Sequence, residues 1–279
     1  MLWENLREEE FKDAIEKSKG VCIVPIGCLE KHGQHMPVGT DVIQVAEIAR
    51  MAAEEEDAVV FPPMYFGEKT GSGEHAGTVI FSSKLRFDIL TETCREIARN
   101  GFKKILFYNG HGGNHSMIDN FSRSVLFEKN DYMVFKCDLT TNCVPQILEL
   151  DYDFLTDEDK KVLQEFVDND TLHGHACFVE TGFIYGVRPE TIRLDKMEQE
   201  SGLSTKRFAA FAEAGVQTHF AWMANYPNSY AAAYHPGMNE RIAKAMVKYS
   251  KDELKRKIKF LKEETISDEY HKEWLAKQK

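Results

Sequence analysis

Long apolar runs are absent from this sequence: nothing approaches the length of a membrane-spanning helix, about 18 consecutive apolar residues. The first ten residues show no basic segment followed by an apolar one. A cytoplasmic protein without a membrane partner is the expectation. A basic excess is also lacking. With 35 Lys and Arg against 45 Asp and Glu, the net charge is −10, which excludes nucleic acid as the main partner, since that binding needs a basic face. The six cysteines never fall at CxxC spacing, so paired-thiol redox and zinc motifs are excluded and free buried thiols are expected. Neither GxGxxG nor the lysine of a phosphate-binding loop is present, which removes support for nucleotide binding. The acidic run 151–159 lacks the central glycine of a calcium-binding loop and reads as a solvated face. No repeat, low-complexity linker or composition break occurs. One domain over 1–279 is therefore expected, ending in a helical tail at about 239–279, with a small molecule as its partner.

The pattern that is present alternates short apolar runs with helical periodicity. Residues 21–26 read as a buried strand, 42–52 carry apolar positions at a 3.6-residue period, and 58–61 read as a second strand. This is a βαβ unit, the building block of an α/β protein. Further strands are expected at 79–81, 105–108 and 132–137, and helices at 4–18, 84–100, 208–214 and from 239 to about 262. In the 84–100 helix, Leu85, Ile89, Cys94 and Ile97 form the expected inner face. After 105–108, three glycines and Asn114, in capping position, open the next helix.

Three polar clusters interrupt this pattern. The first, Gly27 to Asp41, follows a strand, where α/β proteins keep their sites. Glu30 and His32 are two apart, so on extended chain both side chains leave one face and can converge on one ion. Asp41 suits either a helix N-terminus or a metal. The second cluster is Asn109-Gly110-His111-Gly112-Gly113-Asn114, in which glycines let backbone pass close to a bound group. The third is His173-Gly174-His175 leading to Glu180, a carboxylate in an otherwise apolar helical stretch that must be partnered or functional. His175 must belong to the loop before that helix if both residues reach one site. The glycine-rich segment 67–78, with Glu74 and His75, is a candidate site wall, and a loop at 224–230 and 235–237 could lie near substrate.

Together the clusters resemble the creatininase family. Its hallmarks stand here as Glu30-Lys31-His32-Gly33-Gln34-His35-Met36-Pro37-Val38-Gly39-Thr40-Asp41, as Asn109 to Asn114, and as His175 to Thr181. The resemblance implies a three-layer α/β/α sandwich with a mostly parallel sheet, a binuclear metal centre and a homo-oligomer, a hexamer. It implies that Glu30 and His111 bind one metal, that His32 binds the other, that Asp41 bridges both, and that His175 is the acid/base. Creatininase supplies its last carboxylate two residues after the turn's histidine, where this chain has Gly113; Glu180 is the candidate substitute. No tryptophan stands just before His175, which separates the chain from creatininase's own substrate pocket.

Mixed carboxylate and imidazole ligands suit two divalent ions, zinc first, with manganese or iron as alternatives. Two such ions can hold a bridging hydroxide and polarise an amide oxygen. The expected activity is therefore amidohydrolysis of a non-peptide C–N bond, in a cyclic amide or formamide, with His175 or Glu74 protonating the leaving nitrogen. The rival readings are a binuclear phosphoesterase, for which only Lys31 and Lys69 stand near the motifs in sequence, and a non-catalytic binding protein on the same fold.

Overall fold

The structure, a computed structural model, describes residues 1–69 and 71–278; Thr70, within the glycine-rich segment, and Lys279 lie outside the described residues. Four strands, β1 (Val21–Ile26), β2 (Val59–Val60), β3 (Lys104–Asn109) and β4 (Met133–Asp138), form a sheet ordered β2-β1-β3-β4. Every pairing is parallel, so the mostly parallel sheet expected from the sequence is wholly so among the described residues. β1 and β3 are buried at every position because helices cover both faces.

α1 (Phe11–Ser18), α3 (Ser83–Arg99) and α4 (Asn114–Ser124) cover one face, where Leu90, Cys94, Ile97 and Phe121 pack against Cys22, Val24 and Phe107. α2 (Thr40–Glu55), α5 (Val144–Leu150), α6 (Asp157–Asp168), α7 (Phe178–Val187) and α10 (Glu240–Glu263) cover the other, with Val45, Ile48, Phe183 and Met246 against Ile23 and Leu106. The short α8 (Ala209–Glu213) and α9 (Phe220–Asn225) lie in the long connection before α10. The chain ends in α11 (Ile266–Lys277), which buries no residue, so the charged tail forms a helix of its own.

Chain direction decides where a site can form. From β1 the chain crosses by α2 to β2 on one side, while β3 crosses by α4 to β4 on the other. The connections that leave the paired ends of β1 and β3 therefore part in opposite directions and open a crevice there, the usual ligand position in an open parallel sheet. Two glycines bring a helix into it. A Cβ on Gly27 would collide with the backbone of Asp41 and Val42, and one on Gly110 with the Asp41 carbonyl. Only glycine lets the first turn of α2 press between the two strand ends.

Several local expectations are corrected. Residues 79–81 form no strand; Val79 and Ile80 are exposed, and the Val79 N–H donates to the Leu29 carbonyl. Leu85 faces solvent, because Arg86 takes the inward position of that turn, bonding Glu68 and the Phe81 carbonyl, and neighbouring helical residues diverge by about 100°. Asn114 does not cap α4; its side chain accepts from the Glu68 N–H and donates to Asn109. Asp159, expected on a solvated face, is buried; it forms a capping box with Thr156 and pairs with Arg241.

Candidate metal centre

Six of the sequence-selected residues meet in the crevice. Glu30 and His32 come from the loop after β1, and Asp41 from the first turn of α2. His111 comes from the turn after β3, His175 from the loop before α7, and Glu180 from the first turn of α7. Their donor atoms form three overlapping groups, each within 4.8 Å: Cys28, Glu30, Asp41 and His111; His32, Asp41 and Glu180; and Glu30, His32 and His175. Asp41 faces both halves. Its Oδ1 lies 3.1 Å from His32 Nε2 and its Oδ2 lies 2.9 Å from His111 Nδ1.

Glu74 does not join them. Its side chain is 57% exposed and its ion pair is with neighbouring His75, at 3.8 Å. Lys69 of the same loop turns inward instead. It is buried, its Nζ is in contact with Glu30 Oε2, and it lies 4.9 Å over the ring of Trp222. Trp222, on α9, stands edge-on to His175 at 5.4 Å. In the sequence Lys69 stands out only as a basic neighbour of the motifs, and no motif includes Trp222. The available signal was an aromatic beside the loop at 224–230 already marked as close to substrate.

The tautomers show what the cluster is built to hold. His111 Nε2 lies 2.9 Å from the Glu68 carbonyl, His32 Nδ1 3.1 Å from the Glu30 carbonyl, and His175 Nε2 3.0 Å from the Lys31 carbonyl. A carbonyl only accepts, so each of these nitrogens carries the hydrogen and the opposite nitrogen of the neutral ring carries a lone pair. All three lone pairs point at carboxylates: His32 and His111 at Asp41, and His175 Nδ1 at Glu30 Oε1, 3.5 Å away. Lone pair against carboxylate is repulsive unless a cation lies between. A histidine with one nitrogen tied to backbone and the other free is the arrangement of metal-binding imidazoles. Glu30 agrees: it is fully buried, and neither carboxylate oxygen receives a hydrogen bond, although Lys69, His111 and His175 surround it with charge contacts.

The electrostatics follow from burial and crowding. Burial would raise the Asp41 carboxyl, but His32 and then His111 hold it well below the usual carboxylate range. Burial would likewise lower His32, yet Asp41 outweighs it and lifts the ring to about 10. At His175 burial wins, helped by His32, and the ring falls to about 4. At Glu180 burial also wins, against His32, and the carboxyl rises to about 7. Protons thus supply positive charge where the donor set would otherwise take divalent ions. Cys28 is no nucleophile: its Sγ–H donates to Asp41 Oδ2 at 3.1 Å, and burial pushes the thiol well above its ordinary value.

A parallel sheet with carboxylates and imidazoles gathered beyond its central strand ends defines an α/β protein with a candidate metal centre. The sequence model of the creatininase family, described as creatinine amidohydrolase, matches residues 4–251, and the chain belongs to that family. It is 30% identical to creatinine amidohydrolase of Pseudomonas putida over 115 residues, 39% of this chain and 44% of that protein. It is 39% identical to the mycofactocin precursor peptide peptidase of Mycolicibacterium smegmatis over 101 residues, 33% of this chain and 39% of that protein. The chain thus spans less than half the length of the curated relatives it matches. A crystal structure of creatinine amidohydrolase shares the fold at a TM-score of 0.73 and 19% identity, covering 95% of this chain and 98% of that one. Zn-Zn and Mn forms of creatininase superpose at TM-scores of 0.66 and 0.65, with 20% and 21% identity, each over 92% of this chain and 98% of theirs.

Proposed function

We propose that the protein is a metal-dependent amidohydrolase that cleaves a non-peptide C–N bond, in a cyclic amide or formamide, of a small molecule. The observation that carries this reading is the set of three histidines, each tied through one ring nitrogen to a backbone carbonyl and aimed with the other at shared carboxylates. Glu30, Asp41 and His111 would hold one divalent ion, and His32, Asp41 and Glu180 a second, with zinc or manganese as the ions that suit these ligands. Bound there, the ions supply Lewis acidity and a nucleophile at neutral pH. His175, held in one tautomer by the Lys31 carbonyl, keeps Nδ1 free to take a proton and pass it to the leaving nitrogen.

Family membership and the P. putida relative support the reaction class, and the Zn-Zn and Mn creatininases support the ions. Free thiols at all six cysteines fit a reducing cytoplasm. The exposed apolar residues Tyr65, Phe66, Val79 and Ile80 fit a homo-oligomer. The phosphoesterase reading gains from one observation, the buried ammonium of Lys69 at Glu30.

One experiment separates these readings. Protein loaded with zinc or manganese is assayed against lactams, formamides, a short peptide and a phosphodiester, with metal content measured beside it. Turnover of a lactam or formamide is expected. Turnover of the phosphodiester or peptide alone would move the assignment, and protein that takes up no transition metal would favour a non-catalytic role.

Glu180 makes the second ion's ligation testable. Burial raises its carboxyl to about 7, and its Oε2 accepts from the Ala176 N–H at 2.6 Å. Glu180→Gln keeps shape and removes charge. Calorimetric titration should show one tight and one weakened metal site, with excess metal restoring part of the activity. Two tight sites with reduced activity would make Glu180 a partner that orients His32.

A further inference from the structure

We infer that Lys69 and Trp222 form an anion-recognising wall, and that the substrate is an amide bearing a carboxylate close to the scissile C–N bond. The inference rests on the amidohydrolase reading and names its substrate class. Lys69 is 7% exposed, so its ammonium is cut off from most water and needs partners within the protein or on a ligand. Its pairing group is Glu30, which is also a candidate metal ligand. Two divalent ions held by Glu30, Asp41 and Glu180 would outweigh these three carboxylates, so metal would take up Glu30's charge and leave the Lys69 ammonium beside it without an anion. The face of Trp222, 4.9 Å from Nζ, offers only partial compensation.

Position selects the kind of anion. Trp222 stands against His175, the group that would serve the leaving nitrogen, and Lys69 stands against Glu30, a candidate metal ligand. A carboxylate a few bonds from the amide would reach Nζ when the carbonyl lies beside Glu30 and Asp41, the residues that would hold metal. The remaining lysine of the cluster is not free to do this: Lys31 Nζ is held at 2.7 Å by both oxygens of Glu200 and at 2.8 Å by the Asn228 carbonyl. Among the described residues, Lys69 is therefore the lysine of this cluster left to discriminate.

The test uses metal-loaded protein and two probes of the same shape that differ at one group, N-acetylglycine with its carboxylate and N-acetylglycinamide with a neutral carboxamide. Binding is read by calorimetry and by tryptophan fluorescence, with W222F identifying the signal of Trp222 among the three tryptophans. The acid is expected to bind about 10- to 100-fold more tightly than the amide, the range a hydrogen bond to a charged group produces. K69M should abolish that preference with metal content unchanged, and K69R should retain most of it. Equal affinity of the wild type for both probes, a measurement that needs no variant, overturns the inference. So does a preference that survives in K69M, since the metals alone would then be reading the carboxylate. Failure of the amidohydrolase reading shows separately, as absent metal or an inactive substrate panel.

Discussion

Asp41→Ala is expected to empty both metal positions at once while leaving the fold in place. Asp41 is the carboxylate common to the group containing Glu30 and His111 and to the group containing His32 and Glu180. Its two oxygens face the two halves separately, at 3.1 Å from His32 and 2.9 Å from His111. Each half then keeps one carboxylate and one imidazole, too few protein ligands for a tight transition-metal site. The backbone contacts that seat α2 against Gly27 and Gly110 do not involve the carboxylate, so the helix should remain seated. A ligand that binds only the folded state stabilises it by about 2.7 kcal/mol at a hundred times its dissociation constant. Wild-type protein should therefore melt at a higher temperature when zinc or manganese is added, and Asp41→Ala should not. Elemental analysis after dialysis should find no stoichiometric metal in the variant. Two retained ions per chain would show that Asp41 does not bridge them.

The parts of this site visible in the sequence are those fixed by local chemistry. β1 and β3 announced themselves as short apolar runs, and the polar clusters after them lie where such strands end. The glycines of the second cluster read as room for a bound group, whereas the structure uses Gly110, and Gly27 with it, to admit the turn that carries Asp41. Glu180 could be singled out because a carboxylate in an apolar helix demands a partner, and it lies with His32 and Asp41. What the sequence left open is which way side chains in irregular backbone turn. Glu74 and Lys69 belong to the same glycine-rich loop, and nothing local distinguishes them. The inward turn of Lys69 depends on Glu30 and Trp222, which are distant in sequence. Likewise Arg86 displaces Leu85 from the inner face of α3 only because Glu68 and the Phe81 carbonyl wait there. The apolar triplet at 79–81 had strand composition but no strand beside it to pair with.

His175→Ala is expected to lower turnover by about 10²–10⁴, the usual contribution of a positioned proton donor, while both metals stay bound. The ring is fixed from three sides. Nε2 donates to the Lys31 carbonyl at 3.0 Å, one face lies over His32 with ring centroids 4.1 Å apart, and Trp222 meets it edge-on. Burial and then His32 keep the ring neutral, so Nδ1 presents a lone pair to the reaction rather than a proton to Glu30. That state suits a group that accepts a proton from the nucleophile and returns it to the departing nitrogen. The competing role is ligation, because His175 also falls in a group with Glu30 and His32. Metal content separates the two. Two ions per chain with depressed turnover and a nearly unchanged KM for a lactam or formamide substrate would place His175 in proton transfer. Loss of one ion, with activity restored by excess metal, would make His175 a ligand, and the proton would then have to travel by another group.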